Sequence, residues 1–187
     1  RYRFGQLDAE AAVLRANDHV GDTGLRAGVG WQFNDYWHAG LAAARNDPEA
    51  SMQARVAGIT ADSLSARVDY RRSELTHWMF GASRFRYDDG NHRELFSTAL
   101  EQRLLTRPRW LVDGLASAYT SRGSRADAPY FNPSRDRMVE IGLRIDQQLW
   151  RHYERHFRHR LTVSLGDYWQ DGFGSALVPS VSYQHEW

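Results

Sequence analysis

The polar residues that could do chemistry in this chain recur at every second position. Glu140, Arg144 and Asp146 share one run with Ile141 and Leu143, which occupy the intervening parity. Successive side chains of a β-strand point to opposite faces, so this run has one charged and one apolar face. The charged face requires water or a polar ligand. By this alternation the polar-face candidates are Asp8, Glu10, Arg26, Gln32, Arg67, Asp69, Glu101, Arg103, Asp113, Glu140, Arg144, Asp146 and Gln148.

These charges have two possible uses. They can contact a ligand that passes along the face, or they can pair with one another across neighbouring strands, Arg144 with Glu140 or Asp146 for example. Cross-strand pairing would simply satisfy a polar interior. The sequence leaves both uses open for each residue.

The alternation extends along nearly the whole chain and predicts an all-β, antiparallel protein. The alternation of apolar and polar residues predicts about eleven strands. They lie near 5–14, 23–34, 37–45, 52–60, 64–71, 75–86, 93–104, 109–120, 137–149, 157–170 and 177–187. Lengths of roughly ten to thirteen residues suit tilted strands that cross a bilayer, whereas soluble strands average nearer five or six. The pattern therefore favours a transmembrane β-barrel of outer-membrane porin type over a large soluble sheet.

Composition narrows the class of protein. A length of 187 residues is typical of one domain or a part of one, and the absence of cysteine excludes disulfides and thiolate metal sites. The net charge of +1 gives no bulk field for nucleic acid. No run approaches the ~20 apolar residues of a spanning helix, which excludes a helical membrane protein but not a barrel.

Aromatic residues and turns add detail to the barrel hypothesis. Rings fall near predicted strand ends, as in the aromatic girdles of barrels: Trp31, Phe33, Tyr36, Trp37, Trp110, Tyr119, Trp150, Tyr168, Trp169 and Trp187. The run Trp78-Met79-Phe80 requires a bulge or a two-sided environment. An odd strand number is unusual for a bacterial barrel and indicates a miscount or an incomplete barrel.

Motifs for other chemistry are weak. His152, His156 and His159 have a spacing that suits metal ligands on a helix, but they lie in a turn that enters a strand and is rich in arginine. That basic turn could instead meet anionic lipid head groups. No nucleophile elbow or phosphate-binding loop accompanies the serine, histidine and acidic residues. We therefore expect no enzyme activity, no metal and no cofactor.

Several short sequence segments are distinctive enough to indicate a family. They are the segments 128–136 (APYFNPSRD), 150–157 (WRHYERHF), 166–175 (GDYWQDGFGS) and 183–187 (YQHEW), with 87–91 (YDDGN) and 105–108 (LTRP) before them. In this order they resemble the barrel of the poly-β-1,6-N-acetylglucosamine export porins of Gram-negative biofilm formers. The resemblance is strong over 64–187 and weaker over 1–63.

The resemblance implies a fold and a function. Members of that family have periplasmic tetratricopeptide repeats followed by a sixteen-stranded outer-membrane barrel. Residues 1–187 would then be a single barrel domain that lacks the repeats and some of the strands. It would act as a monomer in the outer membrane, exporting partly de-N-acetylated polysaccharide, with an inner-membrane synthase complex and a periplasmic deacetylase as partners.

Under this hypothesis the polar face lines the lumen. Hydroxyl and acetamido groups of a sliding polymer would exchange hydrogen bonds with it, and free amines would favour its carboxylates. Tyr130, Phe131 and Asn132 lie in the longest loop, where they either contact sugar at the exit or pack on their neighbours. The alternatives are a porin for cellulose or alginate, a soluble carbohydrate-binding β-sandwich and a barrel enzyme that acts on lipids.

Overall fold

The chain forms one antiparallel β-sheet. The computed structural model describes residues 5–15, 23–47, 50–125, 127–152 and 155–186. Its ten strands and single helix are β1 (Gln6–Arg15), β2 (Thr23–Gln32), β3 (Trp37–Arg45), α1 (Met52–Val56), β4 (Ala61–Ser73), β5 (Thr76–Tyr87), β6 (His92–Arg107), β7 (Trp110–Gly123), β8 (Arg135–His152), β9 (Arg155–Gln170) and β10 (Gly174–Glu186). The predicted antiparallel all-β architecture is confirmed.

Each strand pairs with its neighbours in sequence, so the sheet is a simple meander from β1 to β10. Within the described residues β1 and β10 do not pair with each other, and the sheet remains open. The meander contains register shifts between Arg71 and Ser73, Arg103 and Leu105, and Gln148 and Trp150. Among the described residues, no helix has the length and apolar character needed to traverse a bilayer.

Burial in the sheet is the inverse of burial in a soluble protein. Large apolar side chains are exposed, with Ile141 at 65% and Val181 at 70% of full accessibility. The opposite face buries charged side chains: Asp113 is 1% exposed and Asp136 is 0% exposed. Exposed apolar residues on one whole face need a hydrocarbon environment, because a soluble sheet would cover that face with a second layer.

The predicted strand at 52–60 is wrong. This segment contains the short helix α1, which begins after Ser51 and ends before Gly58. The Ser51 hydroxyl accepts a hydrogen bond from the backbone N–H of Ala54 at 3.2 Å, which satisfies a free donor of the first turn. Gly58 has a φ of 73°, a left-handed conformation that stops the helix. Within the described residues the strand count is therefore ten, an even number.

Most predicted girdle residues lie at one end of the sheet. Trp31, Trp37 and Trp110 are 44%, 40% and 41% exposed on the apolar face, near the turns 33–36 and 108–109. Trp37 packs on Tyr70 with ring centroids 4.7 Å apart. Tyr119 and Tyr168 were expected in a girdle but instead lie on the polar face, where register pairs both with Met138. Trp187 lies outside the described residues.

The two ends of the sheet differ in the length of their connections. At the girdle end the strands are joined through 33–36, 74–75, 108–109 and 153–154. At the other end they are joined through 16–22, 46–60, 88–91, 124–134 and 171–173. In outer-membrane barrels the turns are short on the periplasmic side and long on the extracellular side. The girdle end is thus the periplasmic end.

Leu143 tests the assignment of faces. It is 47% exposed on the apolar face of β8, so Leu143→Arg places a charge in hydrocarbon and should cost about 2–4 kcal/mol of folding free energy near the midplane. Ser164→Arg is the matched control, since Ser164 faces Gly142 on the polar side of the adjacent strand. Urea titrations in lipid vesicles measure both. An equal loss for the two variants would contradict the assignment.

Candidate functional site

The strand register places all the predicted polar-face residues on one side of the sheet. Residues directly opposite each other on antiparallel strands share a face. The face that carries Glu10 continues through Gly28 and Ala42 to Ser65, and the face of Asp113 continues through Arg144 to Thr162. We call this side the luminal face. Their common location does not decide whether these residues contact a substrate.

A network of ion pairs centres on Asp113. Arg144 Nη2 donates to Asp113 Oδ2 at 2.9 Å, and Arg103 and Glu101 complete the network through short contacts to Asp113 and Arg144. Asp113 is almost fully buried beneath these side chains. The network joins four of the predicted residues from β6, β7 and β8. Its charges are two arginines and two carboxylates, so it is neutral as a whole.

The network extends to Asp146. Arg144 Nε lies 3.8 Å from Asp146 Oδ2, and Arg160 Nε donates to Asp146 Oδ1 at 2.8 Å. Arg160 was not predicted from the sequence as a residue of the polar face. Its position on β9 opposite Asp146 depends on register, which the single-strand pattern does not contain. Gln148 continues the same row and faces Arg158.

A second cluster surrounds Asp69 near the periplasmic end. Arg67 binds the Asp69 carboxylate with two hydrogen bonds of 2.7 Å, and His77 Nε2 lies 3.0 Å from Asp69 Oδ1. His38 Nδ1 lies 3.8 Å from Asp69 Oδ2, and His38 Nε2 lies 4.0 Å from Asp8. These side chains line a depression of about 520 Å³ with Gln32, Asp35, Tyr36 and Arg71. Both histidines were missed, since β3 and β5 lack charged alternation.

A third cluster, also missed, lies at the extracellular end around Asp136. Its carboxylate is fully buried and accepts hydrogen bonds from Tyr119 at 3.3 Å and Tyr168 at 3.5 Å, with Arg93 at 3.4 Å and Ser121 closer. The predicted ninth strand began at 137, and so Asp136 was treated as loop. Extension of the parity of Glu140 by four residues would have included it.

The remaining acidic candidates have few partners. Glu140 accepts a short hydrogen bond from Ser164 and lies among small residues, with Ser117 and Gly166 directly opposite. The Asp8 side chain is 67% exposed, and Glu10 is exposed beside it. Asp8 lies across Gly30, where a Cβ would come within 2.5 Å of its carboxylate. These carboxylates keep most of their hydrogen-bonding capacity for a ligand.

Arg26 and Gln32 lie on the luminal face of β2, where Gln32 lines the depression beside Asp69. Gln32 Nε2 donates to the backbone oxygen of Asn34 at 2.5 Å, within the periplasmic turn. Arg26 stands opposite Ala12 and Ala44.

The described part of the loop 124–134 folds onto the luminal face at the extracellular end. Tyr130 is buried, stacks on Tyr87 with ring centroids 4.9 Å apart, and accepts a 2.8 Å hydrogen bond from Asn91 Nδ2. Asn132 is buried and donates to the backbone oxygen of Arg125. Both side chains are therefore engaged in holding the loop.

Phe131 differs from its two neighbours because it is 51% exposed. Its backbone N–H donates to Gln53 Oε1 at 2.7 Å, which ties the loop to α1. The guanidinium of Arg93 lies 5.9 Å from the Phe131 ring centroid. Of the predicted loop contacts, Phe131 offers the most accessible ring.

The histidine motif does not assemble among the described side chains. His159 contacts Phe157 edge-on at 4.5 Å, and its Nδ1 lies 3.0 Å from the Tyr183 hydroxyl. The side chains of His152 and His156 lie outside the described part of the chain. Within that part, no group of three or more His, Cys, Asp or Glu side chains is arranged to hold a metal.

An antiparallel meander with an apolar outer face and a charged inner face defines an outer-membrane β-barrel protein. A family model, the PgaA membrane beta barrel domain, matches residues 1–187. The chain belongs to this family.

Individual relatives agree with this membership. The chain is 27% identical over 177 residues to the poly-beta-1,6-N-acetyl-D-glucosamine export proteins of Escherichia coli K12 and O157:H7, which covers 95% of this chain and 22% of each relative. A solved structure, a bacterial polysaccharide outer membrane secretin, superposes with a TM-score of 0.86 at 27% identity. That match covers 100% of this chain and 65% of the other. The chain thus spans about a fifth of the curated relatives' length.

Asp113 tests the stability of the luminal network. Asp113→Asn removes the carboxylate between Arg103 and Arg144 and leaves their charges facing a neutral amide, which should cost about 3 kcal/mol. The control is Glu94→Gln, since the exposed Arg84–Glu94 pair at 3.9 Å should contribute less than about 1 kcal/mol. Urea unfolding in vesicles compares them. A similar small loss for both would show that the network contributes little.

Titration of the Tyr130 hydroxyl tests whether the loop 124–134 buries this side chain. Burial, with Asp89 nearby, raises the pKa of the Tyr130 hydroxyl to about 12. Because the folded pKa exceeds the ordinary value near 10, the hydroxyl contributes its full stability below pH 10 and loses it as pH rises through 12. The late-titrating part of the tyrosinate absorbance should be smaller in Tyr130→Phe than in the native protein by the contribution of one tyrosine. An identical titration curve for the variant would contradict the assignment.

Proposed function

We propose that the luminal face forms part of the wall of an outer-membrane conduit that exports poly-β-1,6-N-acetylglucosamine, partly de-N-acetylated, from the periplasm to the cell surface. The observation that carries this proposal is the inverted burial of the sheet, with charges inside and apolar side chains outside. Such a wall suits a hydrated polymer. The names of the curated relatives supply the identity of the polymer.

The charge pattern of the wall supports passage rather than tight binding. Arginine and carboxylate groups in the Asp113 network largely neutralise each other, so an uncharged sugar meets many hydrogen-bonding groups but no strong field. A conducting wall must bind weakly at many points for the polymer to leave each one. Between the clusters, small residues such as Ser97, Ser117 and Gly142 leave room on the luminal face.

De-N-acetylated units carry an ammonium group, and the carboxylates with few partners suit it best. Glu140, Asp8 and Glu10 are such groups, whereas Asp69 and Asp113 are already paired with arginine. Alginate, a polyanion, would be repelled by the same residues. Cellulose, which is neutral, would gain nothing from them. A soluble β-sandwich is contradicted by the single sheet and its exposed apolar face.

Exit from the conduit would pass Phe131. Its half-exposed ring lies where the long loop meets the luminal face, and aromatic rings pack well on the apolar faces of sugars. Tyr130 and Asn132 would act indirectly by holding that loop in place. The proposal includes no catalytic step and no cofactor for this chain.

The wider assignment follows the family resemblance. Residues 1–187 would form one barrel domain that acts as a monomer in contact with outer-membrane lipid. An inner-membrane synthase complex would supply the polymer, and a periplasmic deacetylase would remove acetyl groups before the polymer enters. Contacts with these partners would use tetratricopeptide repeats and not the residues described above.

Glu140 provides the sharpest test. Glu140→Gln keeps an acceptor for Ser164 but removes the charge, so block of the native protein's conductance in planar bilayers by β-1,6-glucosamine oligomers should weaken about tenfold. Cation selectivity should fall as well. Block by the fully N-acetylated oligomer should change by less than about twofold, because its hydrogen bonds to an amide persist.

The control for this experiment is Glu94→Gln, which removes the same charge from the outer face. It should leave block by both oligomers unchanged. If Glu140→Gln weakened block by both oligomers equally, the ammonium contact would be refuted. If neither oligomer blocked the native protein at all, the export proposal itself would be refuted.

A further inference from the structure

Arginines gather on the outer face at the extracellular end of the sheet. They lie at the extracellular ends of three strands, and all are exposed: Arg84 and Arg86 on β5, Arg122 on β7, and Arg135 and Arg137 on β8. Register fixes their face, since Arg84 stands opposite Leu64, and Arg137 lies two residues from the exposed Val139. We call this group the arginine patch.

Arginines outnumber carboxylates in the patch. Arg122 and Arg135 stand directly opposite each other on β7 and β8. Like charges in that position repel. In the described part of the chain no carboxylate lies within ion-pair distance of either guanidinium. The acidic side chains on this part of the outer face are Asp62, Glu94 and Asp167. Asp62 stands opposite Arg86, and Glu94 stands between Arg122 and Arg84, 3.9 Å from Arg84. The five arginines therefore exceed the nearby carboxylates, and Arg122 and Arg135 still face each other.

The height of the patch matches the boundary between hydrocarbon and water. The Arg137 guanidinium lies 5.0 Å from the Trp169 ring centroid, and tryptophan favours this boundary. Phe96 and Ile141 are 57% and 65% exposed further along the same face, toward the middle of the strands. The connections 124–134 and 171–173 begin beyond the patch. Long arginine side chains can therefore reach the head groups while their stems remain in the apolar layer.

We propose that the arginine patch binds the phosphate groups of a glycolipid head group in the outer leaflet, such as the lipid A of lipopolysaccharide. A planar guanidinium donates two parallel hydrogen bonds to phosphate oxygens. A phosphate between Arg122 and Arg135 would turn their repulsion into a shared contact. This inference depends on the placement of the barrel in the outer membrane and not on polysaccharide export.

Lipid binding by the native protein tests the inference. Bis-phosphorylated lipid A is titrated into the purified protein in neutral detergent, and bound lipid is counted by native mass spectrometry. The double variant Arg122→Gln, Arg135→Gln should bind about 30-fold more weakly, from about 1 kcal/mol for each arginine. Dephosphorylated lipid A should bind the unaltered protein comparably weakly. The matched control is Arg107→Gln with Arg109→Gln, which removes equal charge at the periplasmic end.

Folding does not confound this measurement. Loss of a repelling pair should leave the double variant as heat-stable in lipid-free detergent as the unaltered protein. Arg84→Gln with Arg86→Gln gives a second variant on a different strand and should weaken binding in the same direction. The inference is overturned if both double variants of the patch bind lipid A as tightly as the unaltered protein. It is also overturned if the periplasmic control variant loses as much affinity, or if inorganic phosphate competes for the site as well as lipid A does.

Discussion

The constraint on which the whole structure depends is that backbone polar groups in a bilayer must find partners within the protein. The meander satisfies this for every internal strand, since each strand from β2 to β9 pairs on both sides. Once the ladders exist, the pleat sends alternate side chains to hydrocarbon and to the lumen. The period-two pattern of Val139 to Asp146 is therefore a consequence of this constraint, and the exposed apolar face follows from it.

The carboxylates of a polar interior need partners that stabilise their charge, and the luminal face supplies such partners in two ways. Near the periplasmic half, Asp69, Asp113 and Asp146 are held by arginines, which limits both repulsion and the field that a substrate meets. At the extracellular end neutral donors stabilise the buried carboxylate instead, because two tyrosines and a serine donate hydrogen bonds to Asp136. Glu140 lies between these regions with a single hydroxyl partner. That contrast makes it the natural contact for an ammonium group.

The sequence predicted the faces well, because alternation is a property of single strands. It treated Trp78-Met79-Phe80 correctly as needing a bulge or two environments, and the structure shows the latter: Met79 is luminal, while its neighbours are exposed outside. It could not find the Asp69–His77 contact or the Arg160–Asp146 pair, which arise between strands and need the register. It also missed α1, where the alternation of apolar residues from Met52 is accidental and a local cap at Ser51 decides the conformation.

The two faces show how one residue type can meet opposite environments. Arg103, Arg144 and Arg160 have carboxylate partners on the luminal face, where a fixed wall can supply them. Arg122 and Arg135 are turned to the outside, where Glu94, opposite Arg122 in register, also faces Arg84. Lipid head groups can move to an arginine, but protein carboxylates on a rigid sheet cannot. An outer face that presents opposed arginines should therefore gain stability from a leaflet that supplies phosphate, so the stability of this barrel should depend on the lipid that surrounds it.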